Sequence, residues 1–434
     1  MSDILFPDLD PPDSTTTDLT ETLPRLETAN REQIELLPCD LETLLPPGHA
    51  ARLVWRFVEG LNLQPFYDAI RAREGRAGRP AIDPKILVAL WLYATIDGVG
   101  SARELDRLCY AHDAYRWLRG GVSVNYHTLS DFRMAHYAAL DALLTQSVAV
   151  LVHRRVVTLT RVAQDGTRVR ASAGVRSFRR RPTLDVALRL ARQQVARTAA
   201  QLQGEVNARE TAAQHRAAQE RLERIEQALA EMPAVEAVKV RNRSKSAPRV
   251  STTDPEARVM KMMDGGYRPA YNVQFATDVD SQVVVGVSVT NVGSDQAELV
   301  PMLDQITRRT GQVPAAELAD GGFVSTEGIR EVTRRGVTLY APVPTGSHAP
   351  GSGATAGQDA AITAWRARMD TAEAKTIYRA RAGTAERINA DARTHRTLNT
   401  IRVRGLAKVL TAVLWVALAN NMMRTMEIVP HLLT

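Results

Sequence analysis

The sequence feature that most constrains the fold is an alternation of short apolar and amphipathic segments between residues 271 and 341. Two strand-like segments come first, and a helix, a strand, a helix and a strand follow in turn. The predicted strands are residues 271–277, 283–290, 315–319 and 337–341, and the predicted helices begin near Asp295 and after Ser325. Because strand pairs followed by alternating helices and strands pack as layers, this order predicts an α/β fold.

Three widely separated acidic residues are candidates for one site: Asp165 in VAQDGTRVRASAG, Asp320 in ELADGGFVSTEGI and Glu386 in YRARAGTAERIN. Asp165 and Asp320 each follow a β-like run and precede a glycine, which places them at strand ends where an α/β sheet opens to ligands. Three carboxylates gathered there would hold divalent metal, because Mg²⁺ prefers oxygen ligands.

Each of these acids also has an ordinary structural interpretation. The segments on either side of Gly166 alternate apolar and polar residues, which predicts a β-hairpin with Asp165 at its edge. Asp320, before two glycines, is also typical of a helix-capping turn. Glu386 lies among arginines, a setting in which a glutamate usually forms a surface ion pair.

The charge and cysteine content favour an intracellular protein with an acidic partner. The 434 residues carry a formal net charge of +7, which favours nucleic acid, although a generic basic surface remains the alternative. The two cysteines are too few for a disulfide framework and indicate a reducing cytoplasm, with nucleoid association when DNA is bound. The acidic N-terminal segment lacks the pattern of a signal peptide, and the most apolar stretch, 409–418, is too short to span a bilayer, so no membrane role is predicted.

Composition changes divide the chain into three predicted parts. Residues 1–47 are predicted to be a disordered leader, 48–152 a helical DNA-binding domain, and 153–434 a catalytic domain with a helical insertion at about 180–250. A helical bundle for dimerisation, or one that braces the catalytic domain, is the alternative for the second part. Arg179, Arg180 and Arg181, at the start of the insertion, are candidates for DNA phosphate contacts.

Several ordered sequence blocks carry a family resemblance. QDGTRVRASAG, GGYRPAYNVQFATD with VTNVGSDQAELVPM, LADGGFVS, and YRARAGTAERINADAR followed by VRGLAKV resemble bacterial insertion-sequence transposases with a ribonuclease-H-like DDE core, particularly the eleven-eighty-two group. The run RPAIDPKILVALWLYATIDGVGSARELDRL is similar to the helical N-terminal domain of that group, and the resemblance covers residues 50–424. It implies a ribonuclease-H-like mixed sheet, preceded by an all-α domain.

The resemblance also implies roles for individual residues. Asp165 and Asp320 correspond to the two metal-binding aspartates, and Glu386 to the acidic residue of the final helix. Together they would hold Mg²⁺ or Mn²⁺, as two ions. In the family the final helix carries a Tyr-x-x-Arg-x-x-x-Glu pattern with a lysine further on.

Tyr378 and Arg381 match the family pattern of the final helix, but position 385 is alanine and the glutamate comes one residue later. In a regular helix this shift rotates Glu386 by about 100° from the expected register. Arg393 stands where the lysine is expected. Tyr378, Arg381 and Arg393 are therefore candidates for contact with the DNA backbone or for orienting the active site.

Two further acids are secondary candidates. Glu373, one to two turns before Tyr378, is the competitor of Glu386, and Asp278 lies near the expected site in the strand pair. Asn272, on the same strand pair, also lies near that site.

These observations predict a DDE transposase that cleaves DNA and transfers the freed 3′ end to target DNA. Its partners would be the terminal inverted repeats and the target DNA, bound by a homodimer or a higher assembly. The alternatives are a catalytically inactive, transposase-derived DNA-binding protein, a metal-dependent nuclease that cuts without joining, and a basic α/β scaffold without catalysis.

Overall fold

The computed structural model describes residues 40–72, 80–202, 208–344 and 359–430. Most of the predicted leader, residues 1–39, lies outside the described residues. At its end, Glu42–Leu44 form a 3₁₀ turn and Leu45 packs into the core. The described residues from Leu41 onwards form one compact unit with a mixed α/β architecture.

The described residues contain fifteen α-helices and eight strands. The helices are α1 Ala50–Glu59, α2 Gln64–Asp68, α3 Pro84–Ile96, α4 Ala102–Ala111, α5 Asp113–Arg119, α6 Tyr126–Ala135, α7 Tyr137–His153, α8 Arg181–Leu202, α9 Ala208–Arg241, α10 Leu299–Thr310, α11 Thr326–Arg334, α12 Ala360–Asp370, α13 Ala372–Arg381, α14 Arg387–Thr394 and α15 Leu406–Ile428. The strands are β1 Val162–Arg170, β2 Phe178–Arg179, β3 Val250–Ser251, β4 Arg258–Lys261, β5 Tyr267–Asp278, β6 Val284–Thr290, β7 Ala316–Leu318 and β8 Thr338–Tyr340.

The N-terminal helices share one hydrophobic core with the rest of the unit. Asp83 caps α3 by accepting from the Lys85 amide at 2.9 Å, and Pro84 fits the first turn, where its missing N–H is not needed. Helix α3 is apolar on nearly all sides and packs against α1, α5 and α15. Because the same buried cluster continues into β5, β6 and α15, the predicted boundary near residue 152 stays a prediction.

Helix α15 contains the apolar stretch 409–418. It is long and apolar enough to cross a membrane by length and composition, and the bent pair α6 and α7 passes the same test together. In the protein, 72% of the most apolar window of α15 is buried, and the helix packs against α3, α7 and β6. Helix α15 is thus the central helix of the core.

The main sheet has six strands in the order β4-β5-β1-β7-β8, with β6 also paired to β5. Strand β1 is central: β5 pairs with it antiparallel and β7 pairs with it parallel, and β8 continues parallel to β7. The predicted hairpin at Gly166 is wrong. Strand β1 passes through Asp165 and Gly166 without a turn, because the long antiparallel partner β5 pairs with all nine residues from Val162 to Arg170.

Two helices occupy the segment where the sequence predicts an insertion. Helices α8 and α9 pack against each other, and the short strands β2 and β3 pair at their base. Three arginines with exposed side chains lie at this base: Arg179, Arg180 and Arg181. The Nη1 of Arg181 lies 3.6 Å from Oε1 of Glu236 on α9.

Glu317, on β7, is an ionisable residue inside the core. It is fully buried between Val162 of β1 and Leu339 of β8, and neither carboxylate oxygen has a hydrogen-bond partner among the described residues. Burial raises the pKa of Glu317 well above its usual value. The folded protein therefore binds more protons than the unfolded chain above pH about 4.3, so this group lowers stability as the pH rises.

Replacing Glu317 with leucine is expected to raise the free energy of unfolding at pH 7 by about 1–3 kcal/mol, because an unpaired buried polar group is removed. The gain should shrink towards pH 4, where the carboxyl is protonated in both states. Urea unfolding at the two pH values measures it, with the exposed Glu327→Leu as the control. A loss of stability at pH 7 would show that the carboxylate has a favourable role.

Candidate active site

Asp165 and Asp320 lie at equivalent positions beyond the end of the β1–β7 pair. The last paired residues are Ala163 of β1 and Leu318 of β7, and each aspartate follows two positions later. Beyond Ala163, β7 no longer covers this edge of β1, and successive residues on a strand alternate between its faces. Asp165 therefore emerges on the same face as Ala163, towards the helices of the C-terminal part of the chain.

The Arg381 guanidinium joins the two aspartates. Its Nη2 donates to Asp165 Oδ1 at 2.8 Å and lies 3.7 Å from Asp320 Oδ2. The Arg381 and Asp165 side chains are only 12% and 17% exposed, whereas Asp320 is 42% exposed. Asp320 also accepts from the Gly322 amide at 2.6 Å, so it caps a 3₁₀ turn while facing the site.

Asn389 holds the second oxygen of Asp165. Its Nδ2 donates to Asp165 Oδ2 at 2.9 Å, so both carboxylate oxygens of Asp165 accept hydrogen bonds from the C-terminal helices. Asn389 is not among the site residues predicted from the sequence. Its place in the block AERINADAR, one turn after Glu386, was the available signal.

The charges around Asp165 oppose one another. Burial raises the pKa of Asp165, the Arg381 guanidinium lowers it, and the nearby Asp320 and Asp295 raise it again. Tyr378 lies beside the same groups: burial raises its phenolic pKa, and Arg381 acts in the opposite direction. The site is thus an acidic cluster whose repulsion is balanced by one buried cation.

A π-helical turn explains how Arg381 and Asn389 reach the same carboxylate. Eight residues separate them, and in a regular α-helix this spacing would place them about 80° apart around the axis. Residues Ala382–Glu386 instead form a π-turn between α13 and α14, which contains one more residue than an α-turn. The π-turn absorbs the extra residue, and this compensation lets Arg381 and Asn389 both reach Asp165.

The Glu386 and Glu373 side chains are both exposed. Glu386 ends the π-turn, and Glu373 lies in the first turn of α13. Across the described ranges, no group of three or more His, Cys, Asp and Glu side chains is placed to hold a metal ion. The geometry therefore joins Asp165 with Asp320 through Arg381, and the choice between the two glutamates stays a prediction.

Asp295 is a further carboxylate near Asp165 that the sequence analysis missed. Its Oδ1 accepts from Asn272 Nδ2 at 2.6 Å and from Gln274 Nε2 at 2.5 Å. This network crosses β1 at Gly166, where an added Cβ would lie 2.5 Å from both Asp295 Oδ1 and Gln274 Nε2. Gly166 is thus required for close approach of the Asp295 network.

Asp278, the secondary candidate, has a structural contact set. It is fully buried at the end of β5, where its oxygens accept from the Leu159 amide at 3.1 Å and from the Ser281 amide and hydroxyl at 3.0 and 2.6 Å. These contacts tie the β5–β6 connection to the entry of β1. They leave Asp278 as a turn-stabilising residue.

Among the candidate DNA contacts, Arg381 is instead part of the acidic cluster. Arg393 follows Asn389 by one turn, and its Nε donates to the Asn389 carbonyl at 3.2 Å. The Arg393 guanidinium reaches Met263. Tyr378 is partly buried and packs against the hydrophobic core cluster formed in part by α11 and α12. DNA contact by Arg179, Arg180, Arg181, Tyr378 and Arg393 stays a prediction.

Deleting Gly383 is expected to convert the π-turn into a regular α-helical turn and to leave the site intact. Arg381 and Asn389 would then be seven residues apart, which is about 20° around a regular helix, so both would still reach Asp165. An alanine inserted after Gly383 is the matched control and should break one of these hydrogen bonds. Thermal unfolding and a crystal structure of each variant measure the difference. Equal damage by both changes would contradict the compensation.

Two family models match the chain. A Transposase domain (DUF772) matches residues 39–135, which cover α1 to α6, and a Transposase DDE domain matches residues 354–426, which cover the helices that carry Arg381, Glu386 and Asn389. No curated protein and no solved structure matches the chain. Asp165 and Asp320 lie outside both matched segments, so their roles depend on the geometry described above.

Proposed function

We propose that this chain, which belongs to the insertion-sequence DDE transposases, catalyses metal-dependent DNA cleavage and strand transfer at the Asp165–Asp320 site. The observation that carries the proposal is the convergence of these two carboxylates, from different strands, on the Arg381 guanidinium. Partly buried ionisable clusters of this kind are typical of functional sites.

The strand order supports a ribonuclease-H-like sheet. Across the sheet from β6 through β5 and β1 to β7 and β8, β5 is antiparallel to both β6 and β1, β7 is parallel to β1, and β8 is parallel to β7. This arrangement leaves the end of the β1–β7 pair open beside α13 and α14. A DNA backbone approaching from that side would meet Asp320, the more exposed of the two carboxylates, before Asp165.

The donor set fits divalent metal. Two carboxylates that already share one cationic partner supply the hard oxygen ligands that Mg²⁺ or Mn²⁺ binds. When bound, two such ions lower the pKa of an attacking water or 3′-hydroxyl and offset the charge that develops on the scissile phosphate. Asp165 and Asp320 would hold the metal, and Glu386 would complete the set, with Glu373 as its competitor.

Arg381 and Asn389 act in this proposal as positioning residues. Their hydrogen bonds fix both oxygens of Asp165, so the carboxylate keeps one orientation before substrate arrives. The Arg381 charge also limits the repulsion between Asp165 and Asp320. With metal present, Arg381 would be free to contact a phosphate oxygen, for which its planar fork is suited.

Arginine and tyrosine side chains on two parts of the chain would supply the contacts with DNA. Arg393 and Tyr378 share the helical segment with the acidic cluster, and Arg179, Arg180 and Arg181 form a separate basic group at the base of the α8–α9 hairpin. Their contacts with backbone phosphates would orient terminal-repeat and target DNA without specifying its sequence. Since two element ends are joined to one target, a homodimer or a higher assembly on DNA is the matching oligomeric state.

A strand-transfer assay on a labelled element-end fragment tests this function. With Mg²⁺ or Mn²⁺, the proposal expects both a cleaved 3′ end and a product joined to target DNA. Cleavage without joining would identify a nuclease, and DNA binding without either product would identify an inactive derivative. Comparing Glu386→Gln with Glu373→Gln in the same assay identifies the third acid, because only substitution of the metal-binding glutamate should abolish both products.

A further inference from the structure

An open cavity of about 430 Å³ lies between the N-terminal helices and the chain that follows α14. Its lining comes from the 98–101 loop, from Arg103 and Glu104 at the start of α4, and from Arg402. A smaller cavity shares Gly100 and Arg402 with it and adds Arg133 of α6. The two matched family segments, 39–135 and 354–426, therefore form this feature only together.

The two sides of the cavity are closely apposed at two glycines. A Cβ on Gly100 would lie 3.0 Å from the Thr397 Cβ, and a Cβ on Gly98 would lie 3.0 Å from the His395 carbonyl oxygen. Gly98 also has a φ of +73°, which side chains other than glycine rarely adopt. The loop therefore packs closely against the segment after α14, and the two together form the walls of the cavity.

Two arginines and one glutamate line the cavity, so its lining carries a net positive charge. Arg103 and Arg402 are exposed, and neither forms an ion pair with any described residue, although the Arg103 guanidinium stacks 4.7 Å from the Tyr126 ring. Glu104, the carboxylate among the lining residues, is held by Arg107 through hydrogen bonds of 3.0 and 2.6 Å. The cations at the cavity mouth are therefore left without a protein counter-charge.

Arg133 adds a third guanidinium beneath the mouth. It stacks 4.6 Å from the Trp91 ring and donates to the Gly100 carbonyl at 2.7 Å, while its buried Nε has no partner among the described residues. Burial, together with the charge of Arg402, lowers the pKa of Arg133 to about 10. Two neighbouring guanidinium groups that repel each other are stabilised by a shared anion. The N-terminus of α4, which opens here, adds partial positive charge.

We propose that this cavity binds a backbone phosphate of the DNA whose end occupies the active site, an inference that rests on the proposed function. Strand β1 links the two places: Thr400 and Ile401 contact Arg170, five residues along the strand from Asp165. At about 3.4 Å per residue, this is about 17 Å. That span corresponds to about five base pairs of duplex at 3.4 Å each.

Metal-free binding of a fluorescent duplex carrying the element end tests the cavity. Arg402→Gln is expected to weaken binding about tenfold and to lower the slope of log affinity against log salt by about 1, and Arg103→Gln should act in the same direction. Arg56→Gln is the control, because it removes an equal charge from an exposed position of α1 that does not line the cavity. If Arg402→Gln and Arg56→Gln have the same effect, the cavity does not bind DNA.

Single neutral methylphosphonates placed along the duplex locate the contact. A methylphosphonate about five base pairs from the cleaved end should weaken binding to the wild-type protein. It should weaken binding to Arg402→Gln little further, because both changes remove the same interaction. Additive losses at every position would overturn the proposal. Inorganic phosphate is the second probe: if it binds tightly at Arg402 without weakening DNA binding, the cavity is a site for free phosphate.

Because these measurements need no metal or catalysis, they separate the two proposals. If the protein binds DNA through Arg402 but never cleaves it, the cavity proposal is supported and the proposed function is contradicted. If the protein cleaves DNA and Arg402→Gln leaves DNA affinity unchanged, the proposed function is supported and the cavity proposal is contradicted.

Discussion

Replacing Asp165 or Asp320 with asparagine is expected to lower the rate of metal-dependent DNA cleavage by at least about a thousandfold, since each change removes a carboxylate proposed to hold metal. Asparagine has nearly the same shape, and its carbonyl can still accept one hydrogen bond, so both variants should fold. Cleavage and strand transfer of a labelled end fragment at saturating Mg²⁺ measure the effect.

Asp280→Asn is the matched control for these two variants. Asp280 is about half exposed, and its carboxylate pairs at 2.6 Å with the guanidinium of Arg161, the residue immediately before β1. This variant removes the same charge and should keep the wild-type rate. Wild-type cleavage by either Asp165→Asn or Asp320→Asn would remove that residue from the catalytic site.

Arg381→Ala is expected to have the largest effect on the metal-free protein. It leaves two neighbouring carboxylates without their cation, and loss of one partner of a mostly buried ion pair costs about 3 kcal/mol. Mg²⁺ should restore more of the thermal stability of this variant than of the wild type, because the ion replaces the lost charge. Thermal unfolding with and without Mg²⁺ measures both effects.

A control variant and a pH–rate measurement distinguish this positioning role from a general effect on folding. Arg334→Ala breaks an exposed pair with Glu331 and should change stability by no more than about 0.5 kcal/mol. In any Arg381→Ala activity that remains, the acid limb of the pH–rate profile should move to higher pH, because Arg381 lowers the pKa of Asp165. An unshifted limb, with no stabilisation by Mg²⁺, would show that Arg381 acts only in packing.

The sequence predicted the mixed α/β architecture because β-strand and helix periodicity is local. It predicted the wrong local structure at Asp165 and Gly166, since Asp-Gly is a common turn pair. The reason for the glycine is distant in sequence: the Asp295 network crosses β1 there and leaves no room for a Cβ. A glycine required by close approach of another segment cannot be distinguished from a turn glycine by its neighbours alone.

The candidate site was predictable in part. Asp165, Asp320 and Arg381 are all named by sequence blocks that resemble the family, and the structure brings these three together. The π-turn was not predictable, because the sequence reports only one extra residue between Arg381 and Glu386. Its effect depends on whether the helix rotates or widens, and the hydrogen bonds of Arg381 and Asn389 to Asp165 favour the wider turn.

Mn²⁺ binding, followed by electron paramagnetic resonance, tests the central claim most directly. The claim is that Asp165 and Asp320 form one metal site. Wild-type protein and Asp280→Asn should bind Mn²⁺ in competition with Mg²⁺, and Asp165→Asn and Asp320→Asn should each lose that binding. Unchanged Mn²⁺ binding by both asparagine variants would contradict the account.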